Sequence, residues 1–433
     1  MAVPICVPSG LAVWDATWMD ATAVGEIEEL VVLLIAAAVV AVVARWIHLP
    51  YTLALLLLGL GLGAIPVVSA PTLSSEVILL LFLPPLLFEA AFVLDLRLLW
   101  SVRTGVVVFA VPGVLLAMVV GGALVHWALG MPWAVALLFG ATIAATDPVA
   151  VLATFRQLGV NPRLAALLEG ESLLNDGVAL ALLVTLAMAV EGKFSLGPAI
   201  GTFVLSVLGG AAVGLGVGWT GHLLIATIDE HLTEMTVSVA MAYGAFLAAE
   251  TLHLSGVLAT VSAAMMLGYL GRARGWIFSD GSERLLIDLW EFLAFVANAV
   301  LFLLMGSTVH VAGLTRYPGA VLIGIGAALA GRAVVAYALG SVLPHWGFPL
   351  SWAERHVVFW GGLRGAVALA AALSLPAGFP YRGQLLAMTY GAVLFTLLVQ
   401  GLTIAPAVRS LGLLSETSHF GSSRVNPPRA VAD

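Results

Sequence analysis

Residues 170–180, GESLLNDGVAL, place two carboxylates, a hydroxyl and an amide inside an otherwise apolar stretch. On a helix Glu171 and Asn175 stack one turn apart, and so do Ser172 and Asp176. Hard cations such as Na+ are held by oxygen sets of this kind. Ser172 and Asn175 alone would read as polar glue between helices. Two carboxylates would not, because a charge at the centre of a bilayer costs about 2.5–3.5 kcal/mol on insertion scales. A second group lies in GATIAATDPVA, residues 140–150. Pro148 cannot donate a backbone hydrogen bond, which frees the Ala144 carbonyl, and it biases Asp147 away from helical geometry. Thr146, through its hydroxyl or carbonyl, is a candidate cation ligand. Asp147 is a candidate cap on the second half-helix, whose positive end favours an anion. A plain proline kink is the simpler alternative. The third group is WGGLRGAVAL, residues 360–369. Gly361, Gly362 and Gly365 weaken a helix, and Arg364 sets a permanent charge beside the weak point. A buried arginine needs a partner; Glu171 is the first expectation and Asp147 the second. Arg332, in GRAVVAY, is a second buried cation that offsets the remaining carboxylates. A static lattice of ion pairs is the plainer reading of both arginines. Glu89, in FLPPLLFEAA, follows two prolines and is expected to face the same cavity, with a structural carboxyl as its alternative.

The elements that carry these residues must be membrane helices. Of the 433 residues, 61% are hydrophobic and 9% charged, against roughly 25% charged in an ordinary soluble domain. A soluble globular protein is thereby excluded. Apolar runs of about 20 residues suit membrane-crossing helices, whereas the strands of a barrel would alternate over about 10. Thirteen spans are expected, near 28–45, 50–68, 73–93, 105–129, 133–155, 164–190, 197–226, 235–252, 255–270, 285–308, 319–343, 353–376 and 386–410. With the N-terminus outside, twelve of the seventeen basic residues fall in cytoplasmic segments and three in external ones, with Arg332 and Arg364 inside spans. This bias predicts the N-terminus out and the C-terminus in. Residues 1–24 are expected as a short external or periplasmic N-terminus without a signal peptide, 25–412 as the transmembrane domain and 413–433 as a short cytoplasmic tail.

An internal offset points to duplication. Glu89 and Gly306 stand 217 residues apart in similar stretches, and so do Asp147 and Arg364. The offset covers an odd number of spans, so the two halves would be inverted, with paired broken helices, which is a transporter signature. Shared Leu/Ala/Val composition is the competing explanation. The single cysteine, Cys6, excludes a disulfide framework and a cysteine metal site. A cation channel would also place Asp and Thr in a pore, but it commonly repeats one filter across subunits. An intramembrane aspartyl protease would need a Gly-x-Gly-Asp sequence, and Asp176 follows Leu174 and Asn175. No enzyme, no cofactor and no nucleic-acid partner are expected.

At FLPPLLFEAA, ATDPVAVLATF, GESLLNDGVALAL and GGLRGAVALA, in that order, the chain resembles the cation:proton antiporter superfamily, in its NhaP-like Na+/H+ exchanger branch. The resemblance covers essentially the whole membrane region. It implies an all-α polytopic protein of about thirteen transmembrane helices in two inverted repeats. It further implies an ion-binding core, about 105–190 and 319–410, with crossed discontinuous helices beside a dimerisation domain, assembled as a homodimer in a plasma membrane, here a bacterial inner membrane. Carried over residue by residue, Asp176 would bind the ion with Asn175 as its partner, and Ser172 and Thr146 would add oxygen ligands to Na+. Asp147 would be the acid at the helix break and Glu89 an acid near the pathway. Glu171 and Arg364 would form a structural ion pair, and Arg332 would be a basic core position. An Asn-Asp pair implies electroneutral one-for-one exchange. The expected mechanism is competition of cation and proton for Asp176, because an empty ionised Asp176 makes passage through the apolar barrier costly. Na+ is the expected cation, with K+/H+ or broad Na+/Li+/K+ exchange as the alternative.

Overall fold

The structure is a computed structural model that describes residues 21–47, 51–63, 75–190, 192, 195–274, 282–308, 311–376 and 378–414. The expected tail beyond 414 and most of the expected external N-terminus lie outside these residues. The helices, in chain order, are α1 (Ala21–Ile47), α2 (Tyr51–Gly63), α3 (Ser75–Val93), α4 (Leu96–Val108), α5 (Val114–Leu129), α6 (Trp133–Thr142), α7 (Val149–Leu158), α8 (Pro162–Val190), α9 (Leu196–Ile225), α10 (His231–Thr251), α11 (Gly256–Arg274), α12 (Ser282–Thr308), α13 (Val311–Arg316), α14 (Pro318–Ala333), α15 (Gly340–Val342), α16 (Trp352–Trp360), α17 (Ala366–Leu373), α18 (Arg382–Phe395) and α19 (Gly401–Ser410). Wider π turns at Phe109–Gly113 and Thr396–Gln400 join α4 to α5 and α18 to α19. A third, Val334–Leu339, joins α14 to α15. Among the described residues, seven of the resulting helices are long and apolar enough to cross a membrane: 96–129, 162–190, 197–225, 231–251, 282–304, 318–346 and 382–410. A helix satisfies every backbone group within itself, which lipid requires.

Chain ends of the helices follow local chemistry. Asp95 accepts from the Arg97 and Leu98 amides at 2.9 and 3.3 Å and starts α4. The helix therefore begins nine residues ahead of the expected span at 105, since Arg97 and Arg103 occupy its first, non-apolar turns. Ser351 and Glu354 form a capping box on α16. Gly130 and Gly159 close α5 and α7 in the left-handed conformation, both at φ 66°.

Two packing groups result. In one, α8 lies against α4 and α6, α5 against α6 and α14, and α14 against α18. In the other, α12 packs on α2 and α3, and α11 on α3, α9 and α10. Phe88 of α3 stacks on Trp290 of α12 with centroids 4.2 Å apart, in the middle of this second group. Gly210, Gly214 and Gly218, spaced four apart on α9, lie so close to Ser255, just ahead of α11, and to Ala259 and Ala263 of α11 that a Cβ at any of them would collide. Such small-residue seams drive helix association in lipid. The other face of α9 stays exposed, with Leu205 and Leu208 about two-thirds accessible. The two groups meet where α3 and α12 touch α17, and where α3 and α11 touch α8.

The spans expected at 133–155 and 353–376 are each two helices with an interruption, α6/α7 broken at 143–148 and α16/α17 at 361–365. Interrupted backbone is tolerated at membrane depth only where protein or a cavity receives its polar groups. Here each interruption receives the other. The Asp147 amide donates to the Leu363 carbonyl at 2.9 Å. The Arg364 guanidinium donates to the Ala144 and Ala145 carbonyls at 2.9 and 3.1 Å.

Candidate functional site

Asp147 ends the first interruption. Its side chain accepts from the Val149 amide at 3.0 Å, the first N–H of α7, which is the capping role the Asp-Pro pair implied. Its carboxylate lies flat against Gly365, where a Cβ would overlap it. A glycine at 365 is thus what lets the two interruptions close up.

α8 presents two polar faces. Glu171 and Asn175, one turn apart, point toward α5 and α14. Ser172 and Asp176, also one turn apart, point to a cavity between the two packing groups. On the first face the Asn175 amide donates to the Thr146 hydroxyl at 2.7 Å, and its carbonyl oxygen accepts from the Thr146 amide at 3.4 Å. Asn175 is 1% exposed and does not reach the cavity; it fixes Thr146, which does. On the second face the Ser172 hydroxyl donates to the Thr146 carbonyl.

The ion pair differs from expectation. Glu171 is held by both terminal nitrogens of Arg332, one at 3.1 Å, and Arg332 also donates from Nε to the Val358 carbonyl at 3.0 Å. Arg364, the expected partner of Glu171, instead binds carbonyls: Ala144, Ala145 and, at 3.3 Å, Ala328. Nor does it pair with Asp147. The reason is the break itself. Freed carbonyls at membrane depth need donors, and the guanidinium offers five in a fixed fork. Arg332, one turn beyond Ala328 on α14, is left facing Glu171. Gly362 gives Arg332 its room, since a Cβ there would stand 2.8 Å from Cδ of that side chain.

The cavity, about 220 Å³, is bounded by Thr146, Asp147, Ser172, Asp176 and Glu89, with Leu83, Leu87, Leu152 and Leu173 among its apolar walls. Every expected ligand oxygen except that of Asn175 faces it. Asp176 is 7% exposed, and its Oδ1 has no hydrogen-bond partner among the described residues. A buried carboxylate oxygen without a partner is costly. Either a proton or a desolvated cation removes that cost. With Asp176, Ser172 and the Thr146 carbonyl on one wall, the donor set is all oxygen, which suits a hard monovalent cation. No cluster of three or more His, Cys, Asp or Glu able to hold a resident metal is present among the described residues. Three further cavity residues escaped the sequence reading: Arg156 of α7, Glu169 of α8 and Asn298 of α12. For Glu169 the signal was available, because Glu169, Ser172 and Asp176 fall at i, i+3 and i+7, one helix face.

Comparison with known proteins agrees with this geometry. The family model described as "Sodium/hydrogen exchanger, transmembrane" matches residues 31–410. The chain is 40% identical over 375 residues to the Na(+)/H(+) antiporter ApNhaP of Aphanothece halophytica, covering 85% of this chain and 71% of that one. It is 35% identical to the Na(+)/H(+) antiporter NhaH of Halobacillus aidingensis, covering 89% and 98%. The solved structure of the sodium proton antiporter MjNhaP1 from Methanocaldococcus jannaschii at pH 8 superposes with a TM-score of 0.74 at 22% identity, over 90% of this chain and 99% of that one. A polytopic helical membrane fold, two interrupted helices that receive one another and an orphaned buried aspartate beside them accord with what the family model finds: the chain belongs to the sodium/hydrogen exchanger family.

Proposed function

We propose that this protein is a secondary transporter that exchanges Na+ for H+ across the membrane, with both ions competing for Asp176. The observation that carries the proposal is the Oδ1 of Asp176, a cavity-lining residue, which has no hydrogen-bond partner among the described residues. One carboxylate is neutralised by a proton or by Na+, not by both. An empty, ionised Asp176 holds the two packing groups on one side of the barrier, and a loaded one releases them. Ser172 and the Thr146 carbonyl complete the Na+ shell. Asp147 and Glu89 keep the cavity negative, and Asn175 positions Thr146. The other buried carboxylate of α8, Glu171, is balanced by Arg332, so Asp176 is the one charge site that changes per cycle and exchange is one for one and electroneutral.

The wider frame is a thirteen-pass protein with two inverted repeats. Its two groups act as a moving core and a scaffold, and the exposed face of α9 serves as part of a homodimer interface. Arg97, Arg103, Arg156, Arg163 and Arg409, all exposed, mark the cytoplasmic end of an integral plasma-membrane protein. In that orientation the cavity, which reaches Arg156, faces the cytoplasm.

Purified protein in proteoliposomes with an acidic interior tests this. Adding Na+ outside should dissipate the gradient, a valinomycin-clamped voltage should leave the rate unchanged, and a folded Asp176→Asn variant should be silent. Release by K+ alone would transfer the proposal to K+/H+ exchange. Movement of protons by the Asp176→Asn protein would end the Asp176 assignment.

A further inference from the structure

Glu169 has no part in the crossing of the broken helices. It lies seven residues before Asp176 on the same face of α8, about 10 Å away along the axis at 1.5 Å per residue. Ser172 stands between them, and all three border one cavity. Glu169 is partly buried and forms no ion pair with a described residue. Arg156 is the opposing charge felt by both Glu169 and Glu89, and Glu169 and Glu291 add negative charge near Glu89. Arg156 is exposed and so marks the mouth. A cation entering there passes along the α8 face from Glu169 toward Asp176, whose Oδ1 has no hydrogen-bond partner among the described residues. Besides these two carboxylates the wall offers Ser172, Thr146 and Asp147, with Glu89 and Asn298 from the other packing group and apolar side chains around them.

We propose that Glu169 is the cation-recruiting residue of this cavity. It holds a partly hydrated Na+ at an outer station two helical turns from Asp176, and Arg156 is the resident counter-charge that the ion displaces. The inference rests on the exchange reading above. It adds a residue that governs how readily the ion is captured rather than how fast the loaded protein turns over. A hydrated ion sheds its shell in stages along such a path: the outer carboxylate takes it while water still surrounds it, and the oxygens around Asp176 replace the rest.

The test is the Na+ dependence of proton movement in proteoliposomes for the wild type, Glu169→Gln, Glu169→Asp, Arg156→Gln and the double variant Glu169→Gln/Arg156→Gln. Glu169→Gln should raise the KM for Na+ about three- to ten-fold, the range that one charge at about 10 Å supplies after screening. The maximal rate should stay within about two-fold. Glu169→Asp should stay near the wild type, Arg156→Gln should lower KM, and the double variant should fall between the singles. Choline chloride should shrink the gap between wild type and Glu169→Gln, because screening acts on a partly exposed charge. An unchanged KM in Glu169→Gln overturns the proposal, and so does a fall in maximal rate at constant KM. If Glu169→Gln fails to fold, Arg156→Gln decides: a KM that does not fall, or that is indifferent to choline chloride, is equally fatal. A wild type that moves no protons in response to Na+ would instead refute the exchange reading itself, an outcome separate from any of these.

Discussion

Two carboxylates five residues apart on α8 have opposite surroundings. Both oxygens of Glu171 are held by Arg332, while one oxygen of Asp176 is held by nothing among the described residues. The first is a fixed part of the core and the second is the group that changes state. Removing one member of the buried pair should therefore harm the fold more than the chemistry. Glu171→Gln or Arg332→Met alone should cost on the order of 3–5 kcal/mol. That cost would be read as a lower unfolding temperature in detergent, and the double variant should recover much of it. Additive losses in the double variant would contradict the pairing. Asn175→Ala should leave transport intact but weaken Na+ binding, since the two Asn175 hydrogen bonds to Thr146 vanish. A measured KM for Na+ unchanged by Asn175→Ala would contradict its positioning role. Asp176 and Asp147 stood out in the sequence because a carboxylate is costly inside a membrane, and Thr146 because it precedes the Asp-Pro break. The partner of Glu171 was not. Two buried arginines were available, and the choice between them depends on how the broken helices spend their donors, which spacing does not encode.

At the scale of the elements, the two interruptions work as one object. Pro148 opens α6/α7, and Arg364, from the opposite break, fills the carbonyls that are freed. Gly365 is the contact point, with the Asp147 Cγ only 2.7 Å from where its Cβ would stand. Gly365→Ala must push Asp147 aside at an overpacking cost of about 1–3 kcal/mol, and exchange should slow, by about five-fold or more where that cost falls on the transport barrier. Gly326→Ala on α14, whose added Cβ meets nothing within 4 Å, should leave the rate unchanged. Equal rates for the two variants would show that the Asp147–Gly365 contact has no bearing on transport. The proline and the glycine run made both breaks readable in the sequence. The start of α4 was not, because an Asp95 cap and an arginine-bearing first turn carry no apolar signal.

The whole molecule places its cavity between two packing groups, α3 and α12 on one side and α7, α8 and α17 on the other. Which helices join which group could not be read from composition, since lipid-facing and protein-facing surfaces are equally apolar in a membrane chain. Ala153 is exposed and borders the cavity near its mouth. In a Cys6→Ser background, Ala153→Cys should react with a membrane-impermeant maleimide added from the cytoplasmic side and not from the outside. Labelling from the outside alone would reverse the assigned orientation of the cavity. The central claim is that Na+ and a proton compete for one carboxylate, and the KM for Na+ as a function of pH tests it most directly. A protonated Asp176 must lose its proton before Na+ binds. Lowering the pH should therefore raise the KM for Na+, by up to about ten-fold per pH unit for a single competing proton, while the maximal rate at saturating Na+ holds. A maximal rate that falls with pH at constant KM would contradict competition and place the proton on a group other than Asp176.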